Sequence, residues 1–174
     1  MHRRAFLQNA ALASLSLKGI AARAGASQKR SLSFIHTHTG EQVSETYFDG
    51  TGYVADSLGR INRLLRDFRT DEIHAIDVRT LDILHDLQAS TGHEAPYEII
   101  SGYRSPKTNA ALRRSSTGVA EHSFHMQGRA IDVRLSDYAT SRLHELALIL
   151  GRGGVGFYPR SDFVHLDSGP VRFW

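Results

Sequence analysis

The chain has 174 residues, of which 41% are hydrophobic and none is cysteine, so we expect one globular domain without disulfides. The formal net charge of +3 arises at the start of the chain, because residues 1–26 hold four of the 21 Lys and Arg and none of the 18 Asp and Glu. The remaining 17 basic and 18 acidic side chains exclude a strongly basic domain, and no nucleic-acid partner is expected.

Residues 1–26 have the pattern of an export signal. Residues 3–7 read RRAFL, which resembles a twin-arginine signal, and residues 24–26 read AGA, which suits cleavage. The apolar run at residues 10–17 is shorter than the roughly 20 residues of a membrane span. We therefore expect residues 27–174 to form the exported domain, located in the periplasm and without a membrane span.

The first half of this domain predicts a hairpin and two helices. Residues 31–48 alternate on both sides of Thr39-Gly40, which indicates two antiparallel strands. Apolar residues recur every three or four positions from Ala55 to Phe68, which predicts a helix. A second helix is expected from Asp77 to about Ser90, with leucines on its inner face.

Strands dominate the second half. PYEIISGYR predicts a short strand, and Ser105-Pro106 is typical of a helix start. RAIDVRL predicts another strand, followed by a helix from Thr140 to Leu150. GGVGFY and FVHLD predict two final strands, and the glycines of residues 151–156 precede a strand, so they favour a tight turn over a phosphate site. The predicted fold class is α+β.

Three metal-capable side chains lie near the last strands. In GRAIDVRL, Asp132 faces away from the apolar residues, and His125 lies just before the strand. In FVHLD, His165 stands between two apolar neighbours that point the opposite way. Two histidines and one carboxylate are a set that a catalytic zinc takes, with the fourth position left for water. The alternative is chance, since the chain has ten histidines and most single histidines are ordinary surface or core residues.

Three separated motifs carry a family resemblance. SGYRS, SFHMQGRAIDVRL, and GRGGVGFYP with FVHLDSGPVRFW are similar to motifs of the D-Ala-D-Ala metallopeptidase superfamily, in particular its exported murein endopeptidases. The signature S-x-H-x-x-G-x-A-x-D is matched from Ser123 to Asp132, and the second histidine motif is matched at His165. The resemblance extends over nearly all of residues 27–174.

The resemblance implies Zn²⁺ bound by His125, Asp132 and His165, in a small antiparallel sheet flanked by helices, as in hedgehog-type relatives. It also implies cleavage of peptidoglycan cross-links, at a D-Ala–diaminopimelate or a diaminopimelate–diaminopimelate bond. We expect the protein to be a monomer. Two alternatives stay open: a D-Ala-D-Ala carboxypeptidase, and a noncatalytic peptidoglycan-binding module on the same fold.

Three further residues are candidates for catalysis. Asp162 lies three residues before the final histidine, where relatives of the dipeptidase type carry an acid, so it is a candidate proton shuttle; its alternative role is to cap a turn. Asp167 is the next candidate for that role, or else an acceptor that orients His165. The resemblance places Arg104 facing the zinc, where it would bind an oxyanion or a substrate carboxylate; its alternative is a surface ion pair.

Overall fold

The computed structural model describes residues 28–115 and 118–174, so the signal predicted for residues 1–26 lies outside the described residues. Within the described part, no helix is both long enough and apolar enough to cross a membrane. The elements are β1 Arg30–His36, β2 Gln42–Phe48, α1 Ala55–Leu64, α2 Val78–Thr91, β3 Tyr97–Ser101, α3 Pro106–Ser115, a 3₁₀ helix Phe124–Gln127, β4 Ala130–Leu135, α4 Thr140–Leu150, β5 Gly154–Tyr158, β6 Phe163–Asp167 and β7 Arg172–Phe173.

The strands form one sheet of seven in the order β2-β1-β3-β4-β6-β5-β7. The α+β class is confirmed. The sheet is mixed, whereas a small antiparallel sheet was expected: β1 with β3 and β5 with β7 are parallel, and the other pairings are antiparallel. The first parallel pair arises because β2, α1 and α2 lie between β1 and β3 in sequence, which gives the chain enough length to cross over.

One face of the sheet is apolar and packs against α2 and α4. Ile99, Val133 and Val164 lie side by side on β3, β4 and β6 and are fully buried. The inner face predicted for α2 is confirmed, since Leu81, Leu84 and Leu87 are all fully buried. Truncating one of these leucines to alanine should cost about 2–5 kcal/mol of stability. This apolar layer fixes the strands whose other face carries the site.

Helix α1 ends earlier than the predicted Phe68. It stops at Leu64, and the backbone carbonyl of Leu65 instead accepts a hydrogen bond from the Tyr103 N–H at 2.7 Å. The buried Asp67 carboxylate then accepts from the Ser105 N–H at 2.9 Å, and the Ser105 hydroxyl accepts from the Thr108 N–H as the predicted cap of α3. The turn after α1 therefore anchors the segment that links β3 to α3.

Candidate active site

The polar face of the sheet brings Asp132 and His165 together. They are direct partners in the antiparallel pairing of β4 with β6, and directly opposed residues project from the same face of a sheet. Both side chains are buried, and the neighbours of His165 on β6, Val164 and Leu166, are buried against the opposite face. The alternation predicted for these two strands is thus observed, and it explains why residues 33 positions apart meet.

His125 reaches the same point from the 3₁₀ helix. The Ser123 hydroxyl accepts a hydrogen bond from the His125 N–H at 3.3 Å and caps that helix. The His125 ring donates from Nδ1 to the Gly102 carbonyl at 2.8 Å, and the His125 carbonyl accepts from the Arg104 N–H at 3.2 Å. The segment that follows β3 therefore fixes both the backbone and the ring of His125.

The three side chains present one cluster of donor atoms. His125 Nε2 lies 3.2 Å from His165 Nδ1 and 3.3 Å from Asp132 Oδ1, and His165 Nδ1 lies 2.9 Å from Asp132 Oδ1. Two ligands of a tetrahedral zinc ion with bonds of about 2.0–2.2 Å are separated by roughly 3.3 Å. The structure therefore groups the residues that the sequence predicts as ligands at separations that suit a metal ion.

The hydrogen bonds around the two rings assign their protons. A carbonyl oxygen only accepts, so His125 carries its hydrogen on Nδ1 and presents a lone pair on Nε2 when neutral. When neutral, His165 carries its hydrogen on Nε2, which faces the Asp167 carboxylate at 3.0 Å, and presents a lone pair on Nδ1. Two nitrogen lone pairs and a carboxylate oxygen of Asp132 then point at one another, an arrangement that a cation stabilises. The donor set thus fits a metal ion.

The buried charges keep Asp132 ionised and favour a second proton on His165 when no cation is bound. Burial raises the pKa of Asp132, but the charges and hydrogen bonds of His125 and His165 outweigh it and hold that pKa well below its usual range. Burial lowers the pKa of His165, but hydrogen bonds to Asp132 and Asp167 outweigh it and raise the pKa to about 9. A proton and a metal ion therefore compete for Nδ1 of His165, while Asp132 stays ionised at neutral pH.

Asp167 lies behind His165 and is fully buried. Besides His165, its carboxylate accepts from Arg172 at 2.7 and 3.1 Å and from the Gly169 N–H at 2.8 Å. A side chain at Gly154 would collide with this pair, since its Cβ would lie 2.3 Å from Asp167 Oδ2 and 2.5 Å from Arg172 Nη1. The contacts of Asp167 match the orienting role, and the carboxylate does not line the cavity at the site.

Arg104 lines that cavity beside the ligand set. Its Nη2 lies 3.8 Å from Asp132 Oδ2, and its contacts with Asn109 and Ser101 are both long, at 3.5 Å. Among the described residues its buried Nε has no hydrogen-bond partner. Burial lowers the pKa of Arg104, and the charge of Asp132 opposes that shift. A guanidinium with so few partners is available to bind an anionic oxygen.

Asp162 lies outside the cavity. It stands in the turn between β5 and β6 with a positive φ of 51°. Its carboxylate accepts a hydrogen bond from the Thr140 hydroxyl at 2.6 Å and one from Arg134 Nη1 at 3.4 Å. The structure thus brings His125, Asp132, His165 and Arg104 to one cavity and does not bring Asp162 there.

Known proteins are similar in sequence to this chain over most of its length. A family model described as peptidoglycan L,D-endopeptidase MepK matches residues 24–174. The chain belongs to this family. Peptidoglycan L,D-endopeptidase MepK of Escherichia coli strain K12 is 44% identical over 145 residues, which cover 83% of this chain and 80% of that protein. The protein of that name from Shigella flexneri has the same values, and the probable MepK of Haemophilus influenzae is 40% identical over 146 residues, or 83% and 78%.

The cavity of this MepK family member has a volume of about 470 Å³, and much of its wall is not predicted from the sequence. Beyond the predicted residues, the side chains that complete it are mainly aromatic or basic: His122, Phe124, Tyr158, Phe163, Arg172 and Trp174. The alternation of residues in β5 indicates part of this wall once the pairing of β5 with β6 is known. On β5, Gly156 and Tyr158 alternate with apolar residues, and Gly156 pairs with His165, so Tyr158 shares the face that carries the ligands.

Proposed function

We propose that this protein is a zinc-dependent murein endopeptidase that hydrolyses amide bonds in the peptide cross-links of peptidoglycan. The observation that carries the proposal is the convergence of two histidine lone pairs and one carboxylate beside an under-bonded arginine in a cavity. The printed names of the relatives support the substrate class. We further propose that the enzyme acts as a monomer in the periplasm, after export by the twin-arginine route.

The roles of the residues follow from their contacts. His125, Asp132 and His165 would hold the ion, which when bound supplies a Lewis acid for the scissile carbonyl and lowers the pKa of a water molecule to about 7. Asp167 keeps the hydrogen of His165 on Nε2, and the Gly102 carbonyl does the same for Nδ1 of His125. Arg104, which lines the cavity 3.8 Å from Asp132, would stabilise the negative charge that develops on the carbonyl oxygen during attack.

The bond that is cut is proposed from stereochemistry. A D-Ala–diaminopimelate cross-link joins two D centres, whereas a diaminopimelate–diaminopimelate cross-link joins an L centre to a D centre. The L,D designation of the relatives therefore favours the second bond for this chain. Amide hydrolysis within a cross-link releases two peptide stems, so each cleaved dimer should give matching monomers and no free D-Ala.

Digestion of intact sacculi that contain both cross-links tests the proposal. The zinc-loaded protein is incubated with sacculi, and the muropeptides are separated and quantified by mass. Loss of diaminopimelate-linked dimers with a matching gain of monomers is the expected result. Release of free D-Ala with intact dimers would identify a carboxypeptidase, and tight murein binding without any product would identify a binding module. The His125→Ala variant is the control for contaminating hydrolases.

A further inference from the structure

An aromatic pair on the cavity wall leaves one hydrogen-bond donor free. Trp174 Nε1 lies 2.8 Å from the Tyr158 hydroxyl. An indole N–H only donates, so the Tyr158 oxygen is the acceptor of this bond. The hydrogen of the Tyr158 hydroxyl is then available to another group, and within the described residues the hydroxyl makes no other hydrogen bond. Both side chains line the cavity of the ligand set.

The position of Trp174 is built into the sheet. Its N–H donates to the Val155 carbonyl at 3.2 Å, and its carbonyl accepts from the Phe157 N–H at 3.1 Å. Its ring lies over Gly156, where an added Cβ would be 2.6 Å from the indole, and its centroid is 5.2 Å from that of His165. Because Gly156 is the β5 partner of His165, the indole occupies the space next to this predicted ligand.

Tyr158 lines the same cavity as Arg104. The Tyr158 ring stacks on Phe163 with centroids 4.6 Å apart, which holds the phenol plane, while Trp174 holds its oxygen. Tyr158 and Arg104 both line the cavity and are close enough to interact electrostatically, and Arg104 lies 3.8 Å from Asp132. A neutral donor and a cationic donor therefore flank the ligand set.

We propose that the Tyr158 hydroxyl, oriented by Trp174, donates a hydrogen bond to the oxygen of the scissile carbonyl as that oxygen gains negative charge. The proposal rests on the proposed amide hydrolysis. Tyr158 acts as a catalytic residue that touches the reacting group, and Trp174 acts as a positioning residue through it. A preorganised donor aimed at a developing oxyanion contributes about 10²–10³ to kcat, and it affects the transition state more than the bound substrate.

Two conservative variants of the zinc-loaded full chain separate these roles. Tyr158→Phe removes the hydroxyl and keeps the ring, and it should lower kcat on a purified cross-linked dimer by about 10²-fold or more with little change in KM. Trp174→Phe removes the indole donor and keeps the Tyr158 hydroxyl, so kcat should fall less than in Tyr158→Phe. The double variant should be no slower than Tyr158→Phe, because Trp174 acts through the hydroxyl.

Tyr138→Phe is the matched control, since Tyr138 contacts His93 and does not line the cavity. Zinc content should be equal in all variants and the wild type. A Tyr158→Phe variant with wild-type kcat, or with a raised KM and unchanged kcat, overturns the proposal while leaving the proposed function intact. If the decrease in kcat of the double variant equals the product of the two single decreases, the positioning role of Trp174 is overturned. If the wild type itself releases no monomers from the dimer, the proposed function fails and this inference fails with it.

Discussion

His165 and Asp167 are two residues apart on β6, so their side chains share a face, and one hydrogen bond of 3.0 Å joins His165 Nε2 to Asp167 Oδ2. That bond decides which nitrogen of His165 faces Asp132 and His125. Asp167 in turn is held by Arg172 through two contacts. The orientation of a predicted metal ligand thus depends on a buried carboxylate that does not itself line the cavity, and on its ion pair with Arg172.

Replacing Asp167 by asparagine tests this orienting role. The amide carries no charge and binds Arg172 less well, so the ring of His165 is held less firmly and zinc affinity should fall about 10–100-fold. Competition with a zinc chelator at fixed pH measures the change. Unchanged zinc affinity together with lost hydrolysis would instead assign Asp167 to catalysis.

Replacing His125 by alanine removes one of the three donor atoms. We expect this variant to lose stoichiometric zinc and all hydrolysis, because two ligands bind the ion far more weakly than three. His122→Ala is a matched control, since His122 also lines the cavity but is not among the converging donors. Elemental analysis after dialysis reads out both variants. Full zinc occupancy in His125→Ala would refute the ligand assignment.

Zinc affinity should depend on pH through His165. Its pKa is raised to about 9, so below pH 9 a second proton occupies the ring, on Nδ1. That proton must leave before the ion binds. Apparent affinity should therefore rise with pH up to about 9, by up to tenfold per unit for one released proton. Asp132 adds no dependence near neutrality, because its pKa lies well below its usual range. Chelator competition from pH 6 to 9 measures the slope, and a flat profile would contradict this account.

The elements that the sequence predicts well are those set by local pattern. The hairpin around Thr39-Gly40 and the last helix from Thr140 to Leu150 follow from periodicity, and the structure confirms them. The grouping of Asp132 with His165 follows from strand alternation once β4 and β6 pair. Residue patterns alone suggest such a pairing but do not fix its register.

The features that the sequence does not predict depend on long-range contacts. Helix α1 ends early because Leu65 bonds to Tyr103, 38 residues away. The parallel pairing of β1 with β3 depends on the path of α1 and α2 between them. The aromatic wall requires Trp174 to fold back over Gly156, and nothing local to either residue indicates that contact.

Asp162 is a candidate proton shuttle by its place in the sequence, but its contacts in the structure lie outside the cavity. Its carboxylate binds Thr140 and Arg134 outside the cavity, so Asp162→Asn should keep its zinc and stay within a few-fold of wild-type kcat. A proton shuttle would instead lose roughly 10²–10⁴ in rate. Thr140→Ala is the matched control: it removes the 2.6 Å hydrogen bond to Asp162 and keeps the carboxylate, and it should lower the free energy of unfolding by about 1 kcal/mol. Denaturant melts and steady-state kinetics on a cross-linked dimer measure both effects. A rate collapse in Asp162→Asn with a normal rate in Thr140→Ala would restore the shuttle role to Asp162, despite its position in the turn.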